Sequence, residues 1–190
     1  MEKATVGFAL CGSFCTFSKA IKVMEHLALE KYNIVPIMSD IAYGTDTRFG
    51  NAEDINEKIR KICSKDIIHS IKAAEPIGPK KMCDVLAVAP CTGNTLGKIA
   101  NGITDTPVTM AVKSQLRIGS PVVLALASND SLGASAQNLG KLLNTKNIFF
   151  VPMSQDDPQK KPNSLVAHFD MLEKAILLAL ENKQLQPVFA

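Results

Sequence analysis

Asp84-Val85-Leu86-Ala87-Val88-Ala89-Pro90-Cys91-Thr92-Gly93-Asn94-Thr95-Leu96-Gly97-Lys98-Ile99-Ala100-Asn101-Gly102-Ile103-Thr104-Asp105 is the stretch whose reading decides the fold. Val85 to Ala89 is unbroken and apolar, the pattern of a strand buried on both faces. Pro90 has no backbone donor and is expected to end the ladder. Small and polar residues from Cys91 to Thr95 then turn the chain. Leu96, Ile99, Ala100 and Ile103 recur at helical spacing, with Gly102 near the end. A central strand that turns through hydroxyls into a helix is one unit of an open α/β sheet. Ligands of such sheets sit outside the carboxyl ends of the strands, and helix N-termini favour anions. The functional site is expected here.

The same alternation extends in both directions. Thr5 to Leu10 and Ile34 to Met38 read as buried strands, with a helix between them on Ala20, Val23, Met24, Leu27 and Ala28, closed by Tyr32 and Asn33. Tyr43 to Gly50 reads as a loop and Ala52 to Cys63 as an amphipathic helix. Asp66 to His69 is a candidate edge strand, and Glu75-Pro76-Ile77-Gly78-Pro79 is a helix-hostile loop. Beyond the central unit, Pro107 to Leu116 is expected as a helix, Val122 to Ala127 as a strand and Ala134 to Leu143 as a helix. Ile148 to Val151 reads as the last strand. Residues 153–163 read as a loop leading to a C-terminal helix, with Ser164 as cap and a stripe of Leu165, Phe169, Leu172, Ile176 and Leu180. The expected fold is α/β, a doubly wound parallel sheet of about six strands in a Rossmann/flavodoxin-like three-layer sandwich. Residues 1–190 are expected to form one domain.

Composition narrows the function. With 46% apolar and 21% charged residues the chain is neither disordered nor membranous. No apolar run approaches the roughly 18 residues of a membrane span, and the N-terminus lacks signal-peptide organisation. A net charge of +3 with scattered lysines argues against nucleic acid. Five cysteines without a CxxC pair fit a reducing cytoplasm. His26, His69 and His168 have no partner at metal-ligand spacing, so no metal site is expected. Cys11, Cys15 and Cys91 read as small packing residues, with Cys91 placed to touch a ligand.

Four strand ends carry hydroxyl, amide or glycine clusters: Gly12-Ser13, Ser39, Thr92 to Thr95, and Ser128-Asn129. Gly12-Ser13 matches neither the GxGxxG fingerprint nor the P-loop; alone it is a tight turn with a helix cap. One such cluster is ordinary capping. Four on one edge look like the lining for a phosphorylated ligand.

Ala89-Pro90-Cys91-Thr92-Gly93-Asn94-Thr95, continuing through Lys98-Ile99-Ala100, Gly102-Ile103 and Asp105, resembles the flavoprotein family that includes peptidyl-cysteine and phosphopantothenoylcysteine decarboxylases. The resemblance implies FMN as cofactor, with Gly12, Ser13, Ser39, Thr92, Asn94, Thr95 and Ala127 as flavin-site positions. It also implies a homo-oligomer, trimer or dodecamer. Two departures matter. Pro76, next to Glu75, stands where those decarboxylases carry a catalytic His. Leu126-Ala127-Ser128-Asn129-Asp130-Ser131-Leu132-Gly133 replaces their Pro-x-Met-Asn-x-x-Met-Trp, and only the Asn remains. Without the proton-handling His, cysteine decarboxylation is not expected.

A narrower resemblance, to the family of dipicolinate synthase B subunits, rests on Glu75 to Lys81, Ser128-Asn129-Asp130, Phe150-Val151-Pro152, Gln155-Asp156-Asp157-Pro158, Lys160 to Ala167 and Gln184 to Val188. It implies an oxidoreductase component in the cytoplasm of the mother cell during sporulation. The partner would be the A subunit of dipicolinate synthase, which binds NAD or NADP, and the substrate a small dicarboxylate, dihydrodipicolinate. Asn129 is then the candidate catalytic residue, orienting a substrate carboxylate or the flavin edge. Lys113, Arg117 and Lys80 are candidate carboxylate partners. A lyase or prenyltransferase of the wider family and a non-catalytic assembly component are the competing readings.

Overall fold

A computed structural model describes residues 3–190; Met1 and Glu2, which open the segment read for a signal peptide, lie outside it. Four parallel strands form the body of the sheet: β1 (Thr5–Leu10), β2 (Asn33–Met38), β3 (Val85–Cys91) and β4 (Val122–Ser128). The sheet order is β2-β1-β3-β4 and then an added hairpin, so the chain steps outward to one side and then to the other. β5 (Ile148–Phe150) pairs in parallel with the first half of β4.

Alternation along the buried strands feeds two cores. Val6, Phe8 and Leu10 of β1, with Val85, Ala87 and Ala89 of β3, face α1 (Phe17–Leu29), α3 (Ala52–Cys63) and α8 (Leu172–Leu180). Leu86 and Val88 of β3, with Leu124 and Leu126 of β4, face the opposite layer. There lie α4 (Ile71–Ala74), α5 (Gly93–Ala100), α6 (Pro107–Arg117) and α7 (Ala136–Leu143). The three-layer α/β arrangement matches the expectation. The short α2 (Asp40–Gly44) follows β2, so the expected loop from Tyr43 begins only after Gly44.

Other expectations change. Pro90 does not end its strand: β3 continues to Cys91, and the pairing with β4 slips between Val88↔Leu124 and Cys91↔Leu126. Three steps on β3 oppose two on β4, so Pro90 occupies a bulge where no ladder donor is needed. The sheet has seven strands and is mixed, because β6 (Met153–Ser154) and β7 (Leu165–Ala167) form an antiparallel hairpin, with β7 on the end of β4. Ser164 therefore precedes a strand, and the last helix begins only at Leu172, after a 3-10 turn at Phe169–Met171. Asp66 to His69 contributes one bridge, Ile68 to Ile37. Glu75–Ile77 is a 3-10 turn, with Pro76 near its start where a missing N–H is harmless. α5 stops at Ala100, before Ile103. Gly102, at φ 69°, donates to Ile99 O while Ile103 donates to Lys98 O, a Schellman close that a glycine supplies without steric cost.

Candidate functional site

The carboxyl ends of β1, β3 and β4 open on one cleft of about 680 Å³, within the usual size of small-molecule sites. After β1 the chain turns sharply, with the Ser13 N–H donating to Cys11 O at 2.7 Å. The Thr16 hydroxyl donates to Ser13 O at 2.8 Å and to Ser13 Oγ at 3.2 Å. These bonds hold a 3-10 turn, Phe14–Thr16, ahead of α1. After β3, Thr92 caps α5: its Oγ1 accepts the Thr95 N–H at 3.1 Å. The first N–H groups of a helix have no partner within it, so those of Gly93 and Asn94 are available to an anion. After β4, Ser128 Oγ accepts the Asp130 N–H at 3.3 Å, and the Ser135 hydroxyl donates to Asp130 Oδ2 at 3.3 Å. A Cβ on Gly93 would sit 2.6 Å from Ser128 Oγ; glycine thus lets the α5 turn lie against the end of β4.

Two flanks complete the lining. Arg48 and Phe49 come from the loop after α2, on the β2 side of the sheet. Asp156, Lys161, Ser164 and Val166 come from the β6–β7 hairpin on the other. The hairpin loop is held by Gln155 Nε2 donating to Pro162 O at 2.7 Å, and by the Leu132 N–H donating to Asn163 O at 2.9 Å. Lys161 Nζ lies 2.8 Å from Asp156 Oδ2. The Lys161 ammonium, followed by the Ser164 hydroxyl, holds the Asp156 carboxyl below its ordinary range; Asp156 in turn raises Lys161.

Of the residues expected from sequence, Gly12, Ser13, Thr92, Asn94, Ala127 and Asn129 line this cleft. Ser39 and Thr95 stand behind it. Ser39 is buried and caps α2, accepting the Ala42 N–H at 3.3 Å. Thr95 is buried against Thr92. Cys91 is fully buried rather than at the ligand, whereas Cys15, expected as a packing residue, is exposed on the lining. Burial pushes the Cys11 thiol up to about 11 and the Cys91 thiol well above its ordinary value. Lys113 and Arg117 do not reach the cleft; they border a separate groove between α5 and α6, and Lys80 is exposed elsewhere. Arg48, Phe49 and Lys161 join the lining without any expectation from sequence. Arg48 and Phe49 stand singly in a polar loop, and Lys161 is one charge among several in another, so nothing in the sequence marks them out.

The lining fits a flavin mononucleotide. Ser13, Gly93 and Asn94 offer hydroxyl and N–H donors for a phosphate and its polyol, and Phe14, Ala127 and Val166 offer apolar surface for a ring system. Among the described residues no group of three His, Cys, Asp or Glu side chains is placed to hold a metal ion, and no helix is long and apolar enough to cross a membrane.

Comparison with known proteins agrees with this geometry. The Flavoprotein family model matches residues 1–174, and the chain belongs to that family. Within it, the chain is a homologue of the B subunit of dipicolinate synthase. It is 45% identical to that protein of Bacillus subtilis (strain 168) over 183 residues, 96% of this chain and 92% of the relative. The crystal structure of the dipicolinate synthase B subunit from Bacillus halodurans C superposes with a TM-score of 0.90 at 43% identity, covering 98% and 96% of the two chains. DmrB of Burkholderia xenovorans, solved with FMN as a cubic protein cage, shares the fold at a TM-score of 0.69 and 19% identity, covering 94% and 96%.

Proposed function

We propose that this chain is the flavin-site component of a dipicolinate synthase. It acts with the nicotinamide-binding A subunit to oxidise dihydrodipicolinate to dipicolinate in the mother-cell cytoplasm of a sporulating bacterium. The observation that carries the reading is the convergence of Gly12-Ser13, Thr92 to Asn94 and Ala127 to Asn129 on one cleft at one edge of the sheet. The high identity to dipicolinate synthase B subunits over nearly the whole chain supports the substrate.

The oxidation removes a hydride and a proton from a dihydropyridine ring and leaves an aromatic product. FMN, when bound, supplies a two-electron acceptor, and NAD or NADP would enter through the partner protein. The Ser13 hydroxyl and the Gly93 and Asn94 N–H groups at the N-terminus of α5 bind the phosphate end, since the first N–H groups of a helix have no partner within it and favour an anion. Ala127 and Val166 pack against the ring and exclude water from it. Asn129 is exposed at the end of β4, and its amide orients a substrate carboxylate or the flavin edge. The missing decarboxylase His is consistent with this assignment, since dehydrogenation of a carboxylate-bearing ring needs no acid for a leaving carboxyl group. Membership of the flavoprotein family supports a homo-oligomer, trimer or dodecamer.

The test is reconstitution. The purified chain, its partner the A subunit, and the mixture are assayed for flavin absorbance and for dipicolinate formed from dihydrodipicolinate with NAD or NADP. Flavin in this chain and product from the mixture are expected. A colourless chain that refuses FMN, with the partner fully active alone, reduces it to an assembly component. Decarboxylation of a cysteinyl peptide would overturn the assignment outright.

A further inference from the structure

We propose that Arg48 and Lys161 form a two-sided clamp that selects a planar ring bearing two carboxylates, each cation taking one. The assignment rests on the proposed dehydrogenase function and adds to it the residues that read the substrate. Among the described residues they are the two basic side chains lining the cleft. They approach from opposite flanks: Arg48 from the loop that follows β2 and α2, Lys161 from the β6–β7 hairpin, and β2 and β6 are the outer strands of the sheet path. Two cations on separate loops facing one opening suit two anionic groups held apart by a rigid ring better than a single phosphate.

Their present partners leave them able to do this. Among the described residues Arg48 has no ion pair; its guanidinium lies 4.9 Å from the centroid of the half-exposed Phe49 ring. Stacking on an aromatic face orients the guanidinium while its in-plane N–H edge stays free for a carboxylate, a geometry lysine cannot copy. Lys161 is paired with Asp156, but both side chains are partly exposed, at 53% and 34%. Such pairs are worth little, so a ligand carboxylate can displace Asp156, which keeps the Ser164 hydroxyl as a neighbour. The other acid on the lining, Asp130, accepts the Ser135 hydroxyl within its own turn.

Isothermal titration with pyridine-2,6-dicarboxylate and with pyridine-2-carboxylate tests the clamp, on the chain alone and in complex with the A subunit. Arg48→Met and Lys161→Met should each weaken the dicarboxylate about tenfold or more, the scale of one charged hydrogen bond. The double variant should no longer discriminate it from the monocarboxylate. Asp156→Asn should tighten the dicarboxylate by freeing Lys161, a gain that misfolding cannot imitate. Lys160→Met, beside the clamp but off the lining, should change nothing. Unchanged dicarboxylate affinity in both single variants overturns the clamp, as does weakened FMN binding in place of weakened dicarboxylate binding. If the mixture makes dipicolinate and both variants keep the wild-type KM, the clamp fails and the dehydrogenase stands. If no product forms but dicarboxylate binding still depends on both cations, the dehydrogenase fails and the clamp stands.

Discussion

The Thr92 hydroxyl accepts the Thr95 N–H and donates to the Thr95 hydroxyl, both at 3.1 Å. The two threonines thus satisfy each other, and their role is to shape the turn that presents the N–H groups of Gly93 and Asn94. Thr92→Ala should lower stability by about 1 kcal/mol, the usual loss for a removed helix cap. Thr92→Ser should restore it. Urea denaturation of the three proteins checks this, and a Thr92→Ala variant as stable as wild type would contradict the assignment.

Gly93 is held to glycine by its neighbours. An added Cβ would lie 2.6 Å from Ser128 Oγ and 3.3 Å from Ser135 Oγ. Gly93→Ala should therefore cost about 1–3 kcal/mol, as overpacking does, and move the end of β4 within the cleft. Flavin titration should show weaker binding in this variant, even at temperatures where circular dichroism reports it fully folded.

Gly78 meets a harder limit. A Cβ there would fall 1.9 Å from the backbone oxygen of Ser114 on α6, and a backbone atom in a packed helix cannot rotate away. Ser114 also donates its hydroxyl to Glu75 O at 2.6 Å and accepts the Gly78 N–H at 2.8 Å. Gly78→Ala should cost about 3 kcal/mol or more through forced displacement and lost buried bonds. Far from the cleft, it should leave the flavin affinity of the folded fraction unchanged. Thermal denaturation and flavin titration together separate the two effects.

Thiol chemistry should divide the cysteines one against four. Cys15 is exposed on the cleft, whereas Cys11, Cys63, Cys83 and Cys91 are buried. Burial raises Cys11 to about 11, and Cys63 and Cys83 to about 12. A disulfide reagent at pH 8 should titrate one thiol in the native protein and five in denaturant, and a cleft ligand should slow the native reaction. A raised folded pKa gives stability that is complete below the unfolded value near 9 and is lost as pH rises toward the folded value. Each buried thiol then removes up to about 1.4 kcal/mol per pH unit in that window. The urea midpoint should therefore be lower at pH 10 than at pH 8.

Much of the architecture is legible in the sequence because buried parallel strands are long apolar runs and the helices between them carry clear stripes. Val85 to Ala89 and Val122 to Ala127 need no more than that. Pro90 misleads because a missing donor ends a ladder only where the ladder would have used it, and the bulge removes that need. The Leu165 to Ala167 strand is unreadable for another reason: Leu165 and Phe169 are four apart, so helical spacing extends backwards by coincidence from the true start at Leu172. Turn residues at the site are visible through their hydroxyls and glycines. Arg48 and Lys161 are not, because only tertiary structure brings their loops to one opening, while Lys113 and Arg117, equally plausible by type, sit on α6 beside another groove.

On the edge away from β3, β4 divides its length between two neighbours, parallel β5 on Val122 to Leu124 and antiparallel β7 on Ala127 and Ser128. The outer hairpin is thereby a detachable rim: nothing upstream on the strand takes its alignment from it. Relatives wanting a different guest could rewrite residues 155–163 wholesale while the floor beneath keeps its shape. Divergence of specificity on this scaffold would then be a matter of exchanging a border, not of rebuilding a foundation.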